Sequence, residues 1–560
     1  MINIDSEVLK SFIDENKDFF INAKIQKIQQ PTRKDIIIHL RNNSESRKLY
    51  ININPQAYHI AFMTKENENR RHLSIPQHPP MFCMLLRKHM EGAKIININK
   101  PDFERVIELY FEKYNEIGER IEECLSIELM GKHSNLVLYN TDTNIILGCA
   151  HNIGTEKSKE RELAGGLPFI YPPKQDKKNL LNIRYNSFLK LLKTTNINVK
   201  KIISEKYYSI SQFIVEEVCI KNNINPEIEA NRLNEEQIQL IYINLKEYLL
   251  ELNHKYTMSS DYEKYSPINT YPKRYDSVNN LLDDYYAFQT EKLLIVNLKS
   301  NLENLINREL KKLKNVLINQ QKQVDKITKA ENYKLKADLI MSNLYNLNTL
   351  TTPLILKNFT DGSDVIIDID TNISFVDNAN KLYTKYNKAK KAFNVAQDMM
   401  EETQNEILYY EEILFSVKNA EVYNDLLEIQ QELQPDAKPL KTNITPEKAN
   451  IKKFEINGFS IFIGKNNKQN DTIYSKLSSS DDIWMHVLNS PGCHLLIKTE
   501  KKDVDNVTLL ECAKIAKEYS AAKNSTKVPV IYTLKKWVKR PPNQKGGFVT
   551  FKNEKEIIVE

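Results

Sequence analysis

The sequence predicts a multidomain α+β protein: a mixed N-terminal domain, a small helical domain, a long antiparallel coiled-coil arm and an α/β C-terminal domain. Three observations predict it. Of 13 glycines, only Gly362 lies between residues 167 and 457, and a stretch without glycine favours helix, because sheets need the tight turns that glycine supplies. Inside that stretch Tyr386, Ala389, Phe393, Ala396, Met400, Thr403, Ile407, Tyr410, Leu414 and Val417 follow at alternating steps of three and four. Only Thr403 breaks this apolar seam, which has the coiled-coil period. The two ends are turn-rich and carry β-branched runs such as Ile36 to Ile38.

The N-terminal domain is expected over residues 1–175. Residues 22–60 read as strands, with Ile36 to Leu40 and Leu49 to Ile53 as their cores. The segment PPMFCMLLRKHMEG at 79–92 reads as a short helix. Its prolines suit the first turn, Arg87, Lys88 and His89 suit the C-terminal end of the dipole, and Gly92 suits a left-handed stop. In PDFERVIELYFE, Glu104 and Arg105 lead into a strand from Val106 to Tyr110. Neighbours on a strand face opposite sides, so the two charges cannot share one core. A guanidinium fork here suits a phosphate or a base edge, and an ordinary strand-edge ion pair suits the pattern as well. In ELMGKHSNLVLYN the cluster Lys132, His133, Ser134 and Asn135 either offers donors to an anion or closes a turn.

A helical domain of several short helices is expected over 176–275 and the arm over 276–434. The first half of the arm is marked by Ile306, Leu310, Leu313, Leu317, Gln320, Val324 and Ile327. Two matched halves in one chain fold back most simply as a hairpin, and about 45 residues at 1.5 Å each reach about 65 Å. PLILKNF and VIIDID, around Asp361 and Gly362, mark a small strand-bearing module inserted at about 335–380. Residues 435–449, with Pro435, Pro439 and Pro446, read as a linker into a last domain at 450–560.

That last domain opens with FSIFIGKNNKQND, a strand running into a polar turn, followed by DDIWMHVLNSPGCH. Trp484 and His486 alternate and share a strand face, whereas Cys493 and His494 face apart. Two histidines with no carboxylate or cysteine at ligand spacing read as a hydrogen-bonded core pair, so neither a metal nor any cofactor is expected. A helix follows over Leu509 to Ala522, and VPVIYTLKKWVKRPP then sets Lys535, Lys536, Lys539 and Arg540 around Trp537. Cations interleaved with an aromatic suit RNA phosphate and base stacking. Residues 501–560 hold 13 Lys/Arg against 7 Asp/Glu, a surplus that matches the whole net charge of +6. The six cysteines, at 83, 124, 149, 219, 493 and 512, form no CxxC pair, which argues against a zinc knuckle and a disulfide framework. The start, MINIDSEVLKSFIDENKDFF, has no apolar signal region, and no apolar run of about 18 residues exists to span a bilayer. A cytoplasmic protein is expected.

Taken in order, the 79–92 segment, Glu104-Arg105, ELMGKHSN, LPFIYPP at 167–173, GKNNKQND and PGCH closely resemble the RqcH/NEMF family of NFACT-domain proteins. Its bacterial members were long described as fibronectin-binding-like. The chain departs from the family in Glu104, where many members have Asp, and in Phe169, where glycine is usual. The resemblance is weakest over 177–275, where the family has a helix-hairpin-helix-type domain. No glycine is present there for the hairpin turn; either Lys206-Tyr207-Tyr208-Ser209 serves instead or the domain has drifted.

The resemblance implies a ribosome quality-control factor. Such a factor binds a stalled large (50S) subunit carrying peptidyl-tRNA, with a small RNA-binding helper protein as a further partner. It recruits alanine-charged tRNA, and the ribosome's own centre adds an untemplated alanine tail that marks the chain for degradation. No catalytic residue of its own is implied. The resemblance assigns tRNA contact to Glu104, Arg105, Arg87, Lys132, His133, Ser134 and Asn135. It assigns RNA contact to Lys465, Lys468, Trp484, His486, His494, Lys535, Lys536, Trp537, Lys539 and Arg540. A fibronectin-binding surface adhesin is the alternative, and it needs export and anchoring signals that the sequence does not show. An enzyme like the formamidopyrimidine-type DNA glycosylases, whose fold the family's first domains resemble, needs an N-terminal proline and a neighbouring glutamate, and the chain begins Met1-Ile2-Asn3.

Overall fold

A computed structural model describes residues 4–560 except 103, 116, 157–160, 174–175, 252–254, 329, 348–350, 435–450, 541–546 and 548. The linker expected at 435–449 lies outside the described residues. The described residues fall into two compact units, one ending at Leu294 and the other starting at Ile295. No helix among them is long and apolar enough to cross a membrane, and all six cysteines are buried and unpaired.

The first unit opens with helix α1 (Ser6–Phe20), whose N-cap Asp5 accepts the Val8 amide at 2.9 Å. Strands β1 (Lys24–Gln29), β2 (Asp35–Asn42), β3 (Glu45–Asn52) and β4 (His59–Phe62) follow. Helices α2 (Lys65–Arg70) and α3 (Met81–Met90) then lead to β5 (Lys94–Asn99), β6 (Val106–Tyr114), β7 (Arg120–Glu128), β8 (Asn135–Asn140) and β9 (Ile146–Cys149). The sheet order is β4-β3-β2-β1-β5-β6-β7-β8-β9, antiparallel at every pairing. Two meanders therefore meet at β1 and β5, and the α2–α3 excursion carries the chain from the β4 edge back to the middle. Helix α3 starts after Pro80 and stops before Gly92, whose φ of +86° is the left-handed conformation that glycine adopts freely.

Helices α4 (Tyr185–Lys193), α5 (Val199–Lys206), α6 (Gln212–Lys221) and α7 (Glu235–Leu250) bury a core of their own. The α5–α6 turn is made without glycine, and Ser209 takes the left-handed φ of +57° instead. Beyond α7 the chain departs from the expected helices. Strands β10 (Tyr256–Met258), β11 (Tyr265–Ser266) and β12 (Lys273–Tyr275) form a small antiparallel sheet. Pro267 and Pro272 deny this segment a helical ladder, and Tyr256, Met258 and Tyr265 join the N-terminal core. Helix α8 (Val278–Thr328) begins in the same core, with Leu281, Leu282, Tyr285 and Tyr286 buried. Its Asp283 pairs with Arg71 at 2.6 Å, both side chains being 0% exposed.

The second unit takes up α8 and adds α9 (Glu331–Ser342), β13 (Leu354–Lys357), β14 (Asp364–Ile367), α10 (Phe375–Asn419) and α11 (Tyr423–Leu433). Helices α8 and α10 run antiparallel. Lys299 donates to the Lys418 carbonyl, Lys314 pairs with Glu411, and Gln320 donates to the Met399 carbonyl. Leu302, Ile306 and Leu310 pack in one cluster with Ile407, Ile413 and Val417. Thr403 donates its hydroxyl to the Met399 carbonyl at 2.8 Å, so the polar break in the seam is satisfied within its own helix. The β13–β14 hairpin is the inserted module and packs against α9 and the start of α10.

The C-terminal part comprises β15 (Lys452–Ile456), β16 (Phe459–Gly464), α12 (Asn467–Thr472), β17 (Ile483–Val487), β18 (His494–Lys498), α13 (Asn506–Glu518), β19 (Val528–Leu534) and β20 (Lys555–Val559). They build an antiparallel sheet of order β15-β16-β18-β17-β19-β20. Leu509, Cys512, Ala513 and Ala516 of α13 share a core with it, while Trp484, Ile531 and Val538 form a separate cluster. The polar turn expected after β16 is instead the short helix α12, capped by Asn466.

Breaking a desolvated ion pair from one side leaves a buried charge without a partner. Asp283→Ala is expected to destabilise the first unit by about 3–5 kcal/mol, measured by urea unfolding of the full chain. Glu263→Ala, at the exposed Lys292–Glu263 pair, should leave the same transition nearly in place.

Candidate nucleic-acid interface

Pairing of Val106 with Glu128 sets the geometry of the first site. In an antiparallel pair, the residues before one strand and after the other share an end, so 104–105 and 129–135 lie together. The Leu129 amide donates to the Arg105 carbonyl at 2.9 Å, and the Glu104 carbonyl accepts the Ser6 hydroxyl at 3.2 Å. Tyr58 stands between the two segments. Arg105 Nη1 donates to the Tyr58 hydroxyl at 2.9 Å, and a side chain at Gly131 would meet the Tyr58 ring at 3.8 Å. Gly131, at φ +65°, opens a 3₁₀ turn carrying Lys132 and His133, both exposed.

Other residues of the first assignment hold the fold. Ser134 is buried and its hydroxyl accepts the Met130 amide at 2.9 Å. Asn135, also buried, bonds the His151 backbone from both ends of its amide. Both close the turn, leaving Lys132 and His133 as its solvent-facing pair. Arg87 is remote from this cluster in its bonding: Nε donates to the Ile28 carbonyl at 2.8 Å, tying α3 to β1, and the guanidinium pairs with Glu91.

Arg105 also lines a cavity of about 790 Å³ with Asp5, Ser6, Lys177, Tyr208 and Ser209. Burial, then the neighbouring Arg105 charge, holds the Lys177 ammonium below the usual lysine range. Burial likewise pushes the Asp5 carboxyl up to about 6 against the pull of its cap hydrogen bonds. Lys177 and Tyr58 were not singled out from the sequence. Lys177 sits in the run KQDKKN, where nothing local distinguishes it from its neighbours.

In the second unit the GKNNKQND stretch meets an acidic face of α11. Lys465 pairs with Asp425, Asn466 donates to Glu428, Asn467 to Glu432, and Gln469 to both Asp425 and Glu428. Lys468 stays exposed and reaches Gln431 at 3.3 Å. A Cβ at Gly464 would collide with Asn470, whose Oδ1 accepts the His494 amide, so this approach requires glycine.

Trp484 and His494 are buried, and the His486 ring stacks parallel to the indole at 5.9 Å. Burial lowers the proton affinity of both imidazoles and holds them neutral. The structure also brings up the carboxylate that the local spacing lacks: Glu412, on α10, lies with both histidines. Of the cations around Trp537, itself 40% exposed, Lys536, Lys539 and Arg540 are exposed. Lys535 is half-buried with its ammonium 4.5 Å from the Tyr474 ring centre, and Arg540 also pairs with Asp471 at 3.1 Å.

Residues 5–449 match the family described as NFACT N-terminal and middle domains, and residues 451–553 match the NFACT protein RNA binding domain. The Rqc2 homolog RqcH of Bacillus subtilis is 28% identical over 566 residues, covering 97% of this chain and 95% of its own. The Rqc2 homolog RqcH of Streptococcus pneumoniae is 26% identical over 565 residues, covering 100% and 98%. Among solved structures, the N-terminal part of the fibronectin/fibrinogen-binding protein from Streptococcus suis aligns with a TM-score of 0.41 at 23% identity. That alignment covers 51% of this chain and 99% of that one.

The raised Asp5 carboxyl gives the first unit a pH signature. An aspartate that titrates near 6 when folded, against 3.8 otherwise, holds more protons in the folded state across that window. Stability therefore falls as pH rises through it, by up to about 3 kcal/mol in all. Asp5→Asn keeps a capping side chain and removes the titration. The variant's melting temperature relative to the parent is expected to rise between pH 4 and pH 7; a constant difference across that range would contradict the assignment.

Proposed function

The chain belongs to the NFACT family, and from that membership we propose that it acts in ribosome-associated quality control. In this reading it binds large (50S) subunits stalled with peptidyl-tRNA in the cytoplasm. It recruits alanyl-tRNA and directs untemplated alanine tailing of the nascent chain for degradation. The protein contributes binding and positioning, and the ribosome performs the chemistry. The antiparallel α8–α10 pair serves as a coiled-coil reach element on the subunit, and a small RNA-binding helper protein is a further partner.

The observation that carries the reading is the end of β6 and β7. Arg105 spends one donor on Tyr58 and stands beside Lys177, with Lys132 and His133 exposed on the adjoining turn. A guanidinium has five donors, so one bonded to a tyrosine keeps others for a phosphate or a base edge while its orientation is held. Support from the second unit comes from the open cations beside Trp537, in the segment that matches an RNA binding domain.

Arg105→Ala is expected to cost about 1.5–3 kcal/mol of tRNA binding while subunit association survives in part, read by sequencing and quantifying the RNA that co-purifies with the full chain. Undiminished tRNA recovery would remove Arg105 from the interface. Replacing Lys535, Lys536 and Lys539 together by Gln is expected to flatten the log–log salt dependence of RNA binding by about two units, since each lost phosphate contact is worth about 0.7–0.9. An identical slope in parent and variant would assign these lysines to a solvated strand end.

A further inference from the structure

Glu412, His486 and His494 come from three elements: α10, β17 and β18. Each offers a ligand atom, and these atoms lie within 4.8 Å of one another. The two imidazoles have free nitrogens where they are needed. His486 Nε2 and His494 Nδ1 are buried with no hydrogen-bond partner, and a buried polar atom without a partner is costly enough to call for an occupant. The backbone at Gly492 and Val487 engages the rest of the His486 ring, the kind of outer contact that orients a ligating histidine. His494 is 4% exposed, and its rotamer is confined by Trp484, whose ring stands edge-on at 5.3 Å. The indole Nε1 of Trp484 is itself buried without a partner. It is a donor only, so it cannot ligate a cation, yet it suits an oxygen bound to one.

We infer that Glu412, His486 and His494 form a binding site for one divalent transition-metal ion, zinc being the fitting choice, with a fourth position left for an oxygen ligand. Two imidazoles and a carboxylate are the donor set of open zinc sites. Zinc bonds of about 2.0–2.1 Å set neighbouring ligands about 3.3 Å apart in a tetrahedron, so atoms within 4.8 Å of one another close by at most about 1.5 Å, a shift of side-chain size. A hydrogen-bonded core pair does not account for two buried nitrogens that bond neither each other nor any other group. Because Glu412 stands on the long helix and both histidines on the C-terminal sheet, the ion would clamp α10 to that sheet. This site adds to the RNA-binding reading and does not depend on it.

Full-length chain stripped with a chelator and titrated with Zn²⁺ alone is expected to take up one equivalent and to melt at a higher temperature when loaded. Glu412→Gln, half-buried on α10 and outside the C-terminal core, should weaken uptake at least tenfold and lose most of the thermal shift. His486→Ala with His494→Ala should abolish the equivalent. Should the double variant fail to fold, Co²⁺ loading of the parent decides the matter: intense visible bands of a four- or five-coordinate nitrogen–oxygen site support the inference. No equivalent taken up by the parent, full affinity in Glu412→Gln, or a thiolate charge-transfer band from Co²⁺ would each overturn it.

Discussion

The first unit depends on a charge taken fully out of water. Asp283 accepts from Arg71 Nη1, the Thr64 amide and hydroxyl, and the Asn67 side chain, while its own carbonyl accepts Arg71 Nη2. Arg71 in turn lies over the Tyr50 ring, and Tyr50 bonds Asp35. A pair of this kind adds little stability over an apolar pair of equal volume, but its geometry is closely set, because both Asp283 carboxylate oxygens and its carbonyl are engaged by named donors. Here it fixes where α8 leaves the N-terminal core. Tyr286, one turn on, stacks on His59 at 4.2 Å and an interplanar angle of 5°, and His59 follows Tyr58, the partner of Arg105. The orientation of Arg105 thus traces back to the rooting of a helix far away in sequence.

The second unit uses polar groups in the same way. GKNNKQND reads as a polar turn because six of its eight residues are amides or lysines. Three-dimensionally those groups meet Asp425, Glu428 and Glu432, which repeat at helical spacing along one face of α11. A motif can therefore be family-specific for packing reasons, and Lys465 is occupied before any RNA arrives. The cations with no such acidic face against them are Lys536 and Lys539, just beyond β19.

What was legible in the sequence was what local chemistry decides. The α3 stop at Gly92, the strands through Ile38 and Leu49, the break at Gly362 and the threonine in the α10 seam each follow from a residue and its immediate neighbours. The turn at Ser209 was legible as a position, and its left-handed φ is the conformation that glycine would have supplied. What escaped was long-range. Pro267 and Pro272 are visible, but the three strands around them form only because Tyr256 and Tyr265 find the N-terminal core. Lys177 and Glu412 are ordinary charged residues in charged runs, and their partners are set by the fold. Glu411 and Glu412 make the point directly: one pairs with Lys314 across the helical pair, while the next lies with His486 and His494.

On the proposed function, orientation and affinity fall to different residues for a physical reason. Arg105 is half-buried, bonded to Tyr58 and flanked by a second cation whose charge is already disfavoured by burial. Its rotamer freedom is spent on folding, so a phosphate or base edge that fits the remaining donors meets a preset fork and loses little entropy in binding. Lys536 and Lys539 are exposed on long stems, contribute through screened charge and accept many geometries. Selection among RNAs is therefore expected from the Tyr58–Arg105 end, where a wrong shape leaves a held donor unpaired, and general, salt-sensitive attraction from the lysines.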